Sequence, residues 1–215
     1  MQIIPSILTN DPQELKNLIN LAEGRVDRVH VDIIDGKFAD NKTIIPEALK
    51  YIETNLKLDF HLMVEEPVNW VEKCVHVGAD RIFGQVEKMT NQDEFVQKVV
   101  GTGTSVGLAM DLGTDPSALN SRLLLDVDAV LVMSVKAGFG GQDFEPLILS
   151  KIKALSNLKK EDPSPFRICV DGGITLSSVK SLIDAGADEI SIGRRLLNEN
   201  FAENLTKYQK TANEG

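Results

Sequence analysis

The chain has 215 residues, 42% hydrophobic and 26% charged, and a formal net charge of -9. That composition is ordinary for a globular protein, and the acidic balance excludes nucleic acid or an anionic membrane as the main partner. No stretch approaches the roughly 20 apolar residues of a membrane span, and the N-terminus has neither the basic region nor the apolar run of a signal peptide. Two cysteines, Cys74 and Cys169, are too few for a disulfide scaffold and read as reduced thiols of a cytoplasmic protein.

Gln2 to Leu8 reads as a first strand, and Thr9-Asn10-Asp11-Pro12 as a helix start, with Leu15, Leu18, Ile19 and Ala22 at helical spacing behind it. Val29 to Ile34 is a second strand, closed by the turn Asp35-Gly36, and Pro46 opens the next helix. Leu58 to Val64 is a third strand, followed by Pro67 and a helix carrying Val68, Val71 and Val75. Arg81 to Val86 is a fourth, with Phe95, Val96 and Val99 marking its helix. Ser105 to Met110, Ala129 to Val135, Arg167 to Asp171 and Glu189 to Ile192 supply the fifth to eighth strands, and a last helix runs through Phe201 and Leu205. Lys159 to Pro165 is a polar loop, and the final residues are expected to fray.

Eight strands, each followed by a helix at roughly 27 residues per unit, predict a single (β/α)8 TIM barrel over residues 1–215. A doubly wound open sheet also alternates strand and helix, but it usually carries G-x-G-x-x-G after the first strand, and none follows this one. In such barrels chemistry gathers where the strands end.

The second strand carries His30 and Asp32 at a spacing of two, which puts both side chains on one face. Such a pair is a metal or acid–base site, or a costly polar cluster in need of partners. The third strand adds His61 and the seventh ends on Asp171. Two imidazoles and two carboxylates converging on a barrel axis suit one divalent metal ion such as Zn²⁺, Fe²⁺, Mn²⁺ or Co²⁺. His76, between two valines of a predicted helix, reads as structural or exposed. Glycines cluster behind the last three strands, at Gly138, Gly140 and Gly141 around Phe139, at Gly172 and Gly173, and at Gly193 beside Arg194. Loops of this kind bind phosphate through backbone N–H groups, and Arg194 can add a charge-assisted bond.

P-S-I-L at 5–8, H-V-D-I-I-D-G at 30–36, H-L-M-V at 61–64, M-S-V-K-A-G-F-G-G-Q at 133–142 and V-D-G-G-I at 170–174 resemble the ribulose-phosphate 3-epimerase family, in order over nearly the whole chain. The resemblance implies a metal-dependent barrel that interconverts D-ribulose 5-phosphate and D-xylulose 5-phosphate, a step of the pentose phosphate pathway. It implies His30, Asp32, His61 and Asp171 as metal ligands, with Asp32 and Asp171 also as the acid–base pair. Ser6, His61, Met63 and Met133 then meet the substrate, the glycine loops hold its phosphate, and a homo-oligomer is favoured. Inversion beside a ketone needs acid–base groups on both faces of a planar enediolate, and strands two and seven lie well apart around a barrel.

The chain departs from the family pattern at Lys136-Ala137, where Asn-Pro or Glu-Pro is usual, and at Gly193-Arg194, where Gly-Ser is usual. It also departs at Ile34, usually Met, and over Lys37 to Lys42. These changes touch the phosphate end and the rim, so a longer ketose such as a hexulose 6-phosphate is an alternative substrate. A non-catalytic sugar-phosphate-binding protein is a second alternative, opposed by the intact His and Asp set. A related decarboxylase would want a lysine in Asp-x-Lys-x-x-Asp, which Asp32-Ile33-Ile34-Asp35 lacks.

Overall fold

The structure, a computed structural model, describes residues 1–159 and 165–214, so most of the expected polar loop lies outside the described residues. Eight strands form one closed parallel barrel: β1 (Gln2–Ile7), β2 (Arg28–Ile34), β3 (Lys57–Met63), β4 (Ala79–Gln85), β5 (Ser105–Met110), β6 (Ala129–Met133), β7 (Arg167–Asp171) and β8 (Glu189–Ile192). Each pairs with its sequence neighbour, and β8 closes on β1 through Gln2 opposite Glu189 to Pro5 opposite Ile192. The helices are α1 (Pro12–Ala22), α2 (Val71–His76), α3 (Gln92–Val100), α4 (Ile148–Lys159), α5 (Leu176–Ala185) and α6 (Phe201–Glu214). Among the described residues no helix is long and apolar enough to cross a membrane.

The strand-then-helix pattern holds with two corrections. After β2 the proline-initiated segment is only a 3-10 turn, Pro46–Leu49, and after β5 two such turns, Pro116–Ala118 and Ser121–Leu125, stand in for a helix. Both turns after β5 begin on side-chain caps, Asp115 accepting from the Ser117 amide at 2.9 Å and Asn120 from the Arg122 amide at 3.2 Å, so a second start signal follows the first within a few residues and neither turn lengthens into a helix. By contrast α1 has Asp11 accepting from the Gln13 amide at 2.8 Å, proline in its first turn, and a buried stripe of Leu15, Ile19 and Ala22. Up to Glu214 the C-terminal residues are helical where fraying was expected. Tyr208 and Ala212 are buried, the Tyr208 hydroxyl donates to the Ile174 carbonyl at 3.2 Å, and the helix continues to Glu214.

Strand alternation sorts the side chains into two cores. Outward-facing Val29, Val31, Ile33, Phe60, Leu62 and their equivalents pack under the helices, each such buried side chain contributing about 1.5–3 kcal/mol. The inward-facing set is smaller and includes Met63, Phe83, Leu131 and Met133. At the amino end of the barrel, buried Arg81 bridges Asp59 (2.5 Å) and Glu189 (2.7 Å), with Arg28 also on Asp59 and Arg167 on Glu189 at 2.8 Å. Phe83 separates this ionic plug from the other end: the Arg81 guanidinium lies 4.7 Å from its ring centre, and the His30 ring 5.8 Å away.

Candidate active site

The strand register assembles the site from residues far apart in the chain. Asp32 sits opposite His61, His30 opposite Ser6, and Asp171 between Met133 and Ser191. His30, Asp32, His61 and Asp171, each less than a tenth exposed, come together, with one ligand atom from each lying within 4.8 Å of the others. Asp32 is the hub. Its Oδ2 accepts from the Ser6 hydroxyl at 2.9 Å, while Oδ1 lies 3.0 Å from His61 Nδ1 and 3.5 Å from His30 Nε2. Every residue expected to form the metal set is therefore in one cluster, and Ser6 is tied to it.

The electrostatics divide the two carboxyls. Burial would push both up. For Asp32 that is overcome by the two imidazoles beside it, His30 and His61, which hold it well below the usual carboxylate range. Asp171 has weaker support: burial first, then the neighbouring Asp32 charge, outweigh the His30 charge and the Gly172 amide and push it up to about 7. Burial also opposes charge on His30, but Asp32, Asp171 and Asp59 outweigh it and move His30 up; His61, dominated by burial, moves down. One carboxyl is thus held ionised while its neighbour holds a proton near neutrality, the pattern that separates base from acid.

The cluster fits a divalent cation. His30 Nε2 is buried and makes no well-formed hydrogen bond, its approach to Asp32 Oδ1 being 3.5 Å, and a buried polar atom left so costs about 1–3 kcal/mol. Two imidazole nitrogens and two carboxylates make a mixed N/O donor set suited to Zn²⁺, Fe²⁺, Mn²⁺ or Co²⁺.

Above the cluster opens a cavity of about 270 Å³. Ser6, Asp32, Met63, Met133 and Asp171 line its floor, and Gly138 to Gly141, Gly172, Gly173, Gly193 and Arg194 line the side expected to take phosphate. His30 and His61 are not among its lining residues, and His61 meets the cluster at Asp32, its Nδ1 lying 3.0 Å from Oδ1. The glycine side is held by specific bonds. Asn41 Nδ2 donates to the Gly138 carbonyl at 2.8 Å, and Gln142 Nε2 closes the loop onto the carbonyls of Lys136 (2.7 Å) and Phe139 (2.8 Å). Gly173 has φ +63°, and a Cβ there would stand 2.4 Å from the Phe144 amide nitrogen, so only glycine fits.

Some lining residues escaped the sequence reading. Glu14 and Leu18 reach the cavity from α1, Ser191 from β8, and Arg195, paired with Asp143 at 3.2 Å, stands beside Arg194. Ser191 could have been found by the rule that picked out His30 and Asp32, since Glu189 and Ser191 are polar at a spacing of two on a strand. Gln85, on β4, was missed as well; its amide lies 3.1 Å from His61 Nε2.

Fold and site together define a (β/α)8 barrel with a candidate metal centre at the carboxyl ends of its strands. The chain belongs to the ribulose-phosphate 3 epimerase family, whose model matches residues 2–197. Ribulose-phosphate 3-epimerase of Treponema pallidum is 36% identical over 194 residues, 89% of this chain and 88% of that protein. The Bacillus subtilis enzyme of the same name is 34% identical over 198 residues, 90% of each. Among solved structures, 3-keto-L-gulonate-6-phosphate decarboxylase from Vibrio cholerae superposes with a TM-score of 0.72 at 12% identity, covering 100% of this chain and 97% of its own. At that identity the likeness concerns the fold alone.

Proposed function

We propose that the protein is a metal-dependent ketose-phosphate 3-epimerase that interconverts D-ribulose 5-phosphate and D-xylulose 5-phosphate. The observation that carries this is the meeting of His30, Asp32, His61 and Asp171 beneath a cavity walled by glycine loops. The family supports the substrate, since the relatives above are named for it.

The residues divide the work. The glycine loops and Arg194 hold the phosphate and set the sugar across the cavity floor, with Met63 and Met133 giving an apolar surface beside the reacting carbon. Asp32, steadied by Ser6, takes the C3 proton from one face, and Asp171, entering the cycle as the acid of the pair, delivers a proton to the other. The roles exchange in the reverse direction. His30, Asp32, His61 and Asp171 would hold the divalent ion, which supplies Lewis-acid stabilisation of the charge that develops on the ketone oxygen. General acid–base catalysis contributes about 10²–10⁴-fold, too little by itself for a carbon acid so weak, so the site needs both parts. The two buried free thiols, Cys74 and Cys169, support a reducing compartment such as the cytoplasm. A homo-oligomer is part of the same proposal, checked by light scattering on the purified protein.

The test is turnover of D-ribulose 5-phosphate against a hexulose 6-phosphate, with the protein chelated and then restored with each of the four ions. Metal-dependent turnover of the pentulose supports the proposal. Preference for the hexulose moves the substrate, and no turnover of either with any ion overturns it.

A further inference from the structure

We infer that Gln85 is a positioning residue that fixes the tautomer of His61, and thereby aims the His61 Nδ1 lone pair at the metal centre. The inference rests on the metal-centre proposal above and deepens it.

Gln85 is the last residue of β4 and is wholly buried. Its two terminal amide atoms have different surroundings. One lies 2.7 Å from Glu87 Oε2 and 3.2 Å from the Ala109 carbonyl; the other lies 3.1 Å from His61 Nε2. An ionised carboxylate and a carbonyl only accept hydrogen bonds, so the amide nitrogen belongs beside Glu87 and Ala109, and the oxygen beside His61. The opposite placement would set an oxygen against two acceptors in a buried site.

The rest follows from the imidazole. The Gln85 oxygen accepts, so His61 Nε2 must carry the hydrogen. A neutral ring has one N–H, which leaves Nδ1 as a bare lone pair. That lone pair lies 3.0 Å from Asp32 Oδ1, itself an acceptor. Two acceptors so close are stable together when a cation is bound between them, which is what a ligand pair requires. The other tautomer would place a hydrogen on Nδ1, satisfy Asp32 without any ion, and block that nitrogen as a ligand.

Glu87 is in turn fixed from the β5 end: its Oε1 accepts from the Asp111 amide at 2.7 Å and the Thr114 hydroxyl at 2.5 Å. The loop after β5 therefore sets Glu87, Glu87 orients Gln85, and Gln85 orients His61. A group that only filled space at position 85 would need none of this polarity.

Zinc titration and a two-bond ¹H–¹⁵N correlation spectrum test the assignment, the latter on metal-free and zinc-loaded protein at mildly alkaline pH. The chain has only three histidines, so the ring signals are few. Wild type is expected to bind zinc and, metal-free, to show His61 with its hydrogen on Nε2. Gln85→Met, which keeps the volume, is expected to weaken zinc binding about 10–100-fold. The exchanged pair Gln85→Glu with Glu87→Gln still offers His61 an acceptor and is expected to restore affinity to within about threefold of wild type. A hydrogen on Nδ1 in metal-free wild type overturns the inference, even if Gln85→Met fails to fold. So does zinc affinity in a folded Gln85→Met protein within about threefold of wild type. If wild type itself binds no zinc, manganese, iron or cobalt, the metal-centre proposal falls and this inference with it; tight binding that ignores position 85 refutes only the inference.

Discussion

Replacing Arg81 with methionine would remove the cation that bridges two buried carboxylates at the amino end of the barrel. Arg81 lies 2.5 Å from Asp59 and 2.7 Å from Glu189, with both carboxylate side chains at most 2% exposed. Breaking a buried pair from one side costs about 3–5 kcal/mol because the abandoned charge stays buried. Arg28 still reaches Asp59 and Arg167 still reaches Glu189, which places the expected loss at the lower edge, about 3 kcal/mol. For a chain of this length that is a fall in Tm of about 6–12 °C.

The pH dependence gives a second check on the same substitution. Burial alone would raise Glu189, but the Arg81 charge, with hydrogen bonds from Arg81, Cys169 and Arg167, lowers it from 4.5 to about 2. A depressed carboxyl contributes stability that is fully present above its unfolded pKa and is lost as pH falls toward its folded value. The gap between wild type and variant should therefore be full near neutrality and narrow as pH drops from 4.5 toward 2. The span corresponds to ~3 kcal/mol at most, in line with the pairing argument. Urea unfolding at about pH 7 and about pH 4 measures it. Turnover per folded molecule should hardly change, because Phe83 stands between this plug and the metal set. A loss below about 1 kcal/mol near neutrality, or a gap that widens on acidification, would refute the reasoning.

Gly173→Ala should cost about 1–3 kcal/mol and raise KM more than it lowers kcat, since a Cβ there meets the Phe144 backbone at 2.4 Å on the phosphate side; unaltered KM would count against that assignment. Metal binding to the apoprotein should release protons below neutrality, because Asp171 is pushed up to about 7 and His30 is raised. Affinity should then rise with pH and level off above that point, which calorimetry in buffers of different ionisation enthalpy reads directly; binding with no proton release contradicts it. Chelation should lower Tm, by the equivalent of about 2.7 kcal/mol if the ion had been present at 100 times its Kd.

The barrel was legible because its strands are β-branched runs cut off by glycine, proline and aspartate, and because the interior alternation leaves polar outliers such as His30 and Asp32 at a spacing of two. The same alternation marks Ser191, two residues after Glu189, but Gln85 ends its strand with no polar residue two positions before it. Their meaning depends on register, which sets Asp171 against Ser191 and brings β4 beside His61. The 3-10 turns after β2 and β5 escaped for a different reason. Proline and capping residues such as Asp115 and Asn120 announce a helix start, but nothing in their spacing says how far the helix runs.

The most direct test of inversion by two carboxylates is hydrogen isotope exchange at C3, followed in D₂O with metal-loaded wild type, Asp32→Asn and Asp171→Asn. Wild type should place solvent deuterium at C3 of the product. Each variant should lose about 10²–10⁴-fold in turnover, yet Asp171→Asn should still exchange the C3 hydrogen of one epimer, which Asp32 reaches, without delivering the other. Product formed without deuterium at C3, or either variant turning over near the wild-type rate, would contradict the assignment of Asp32 and Asp171 to opposite faces of the substrate.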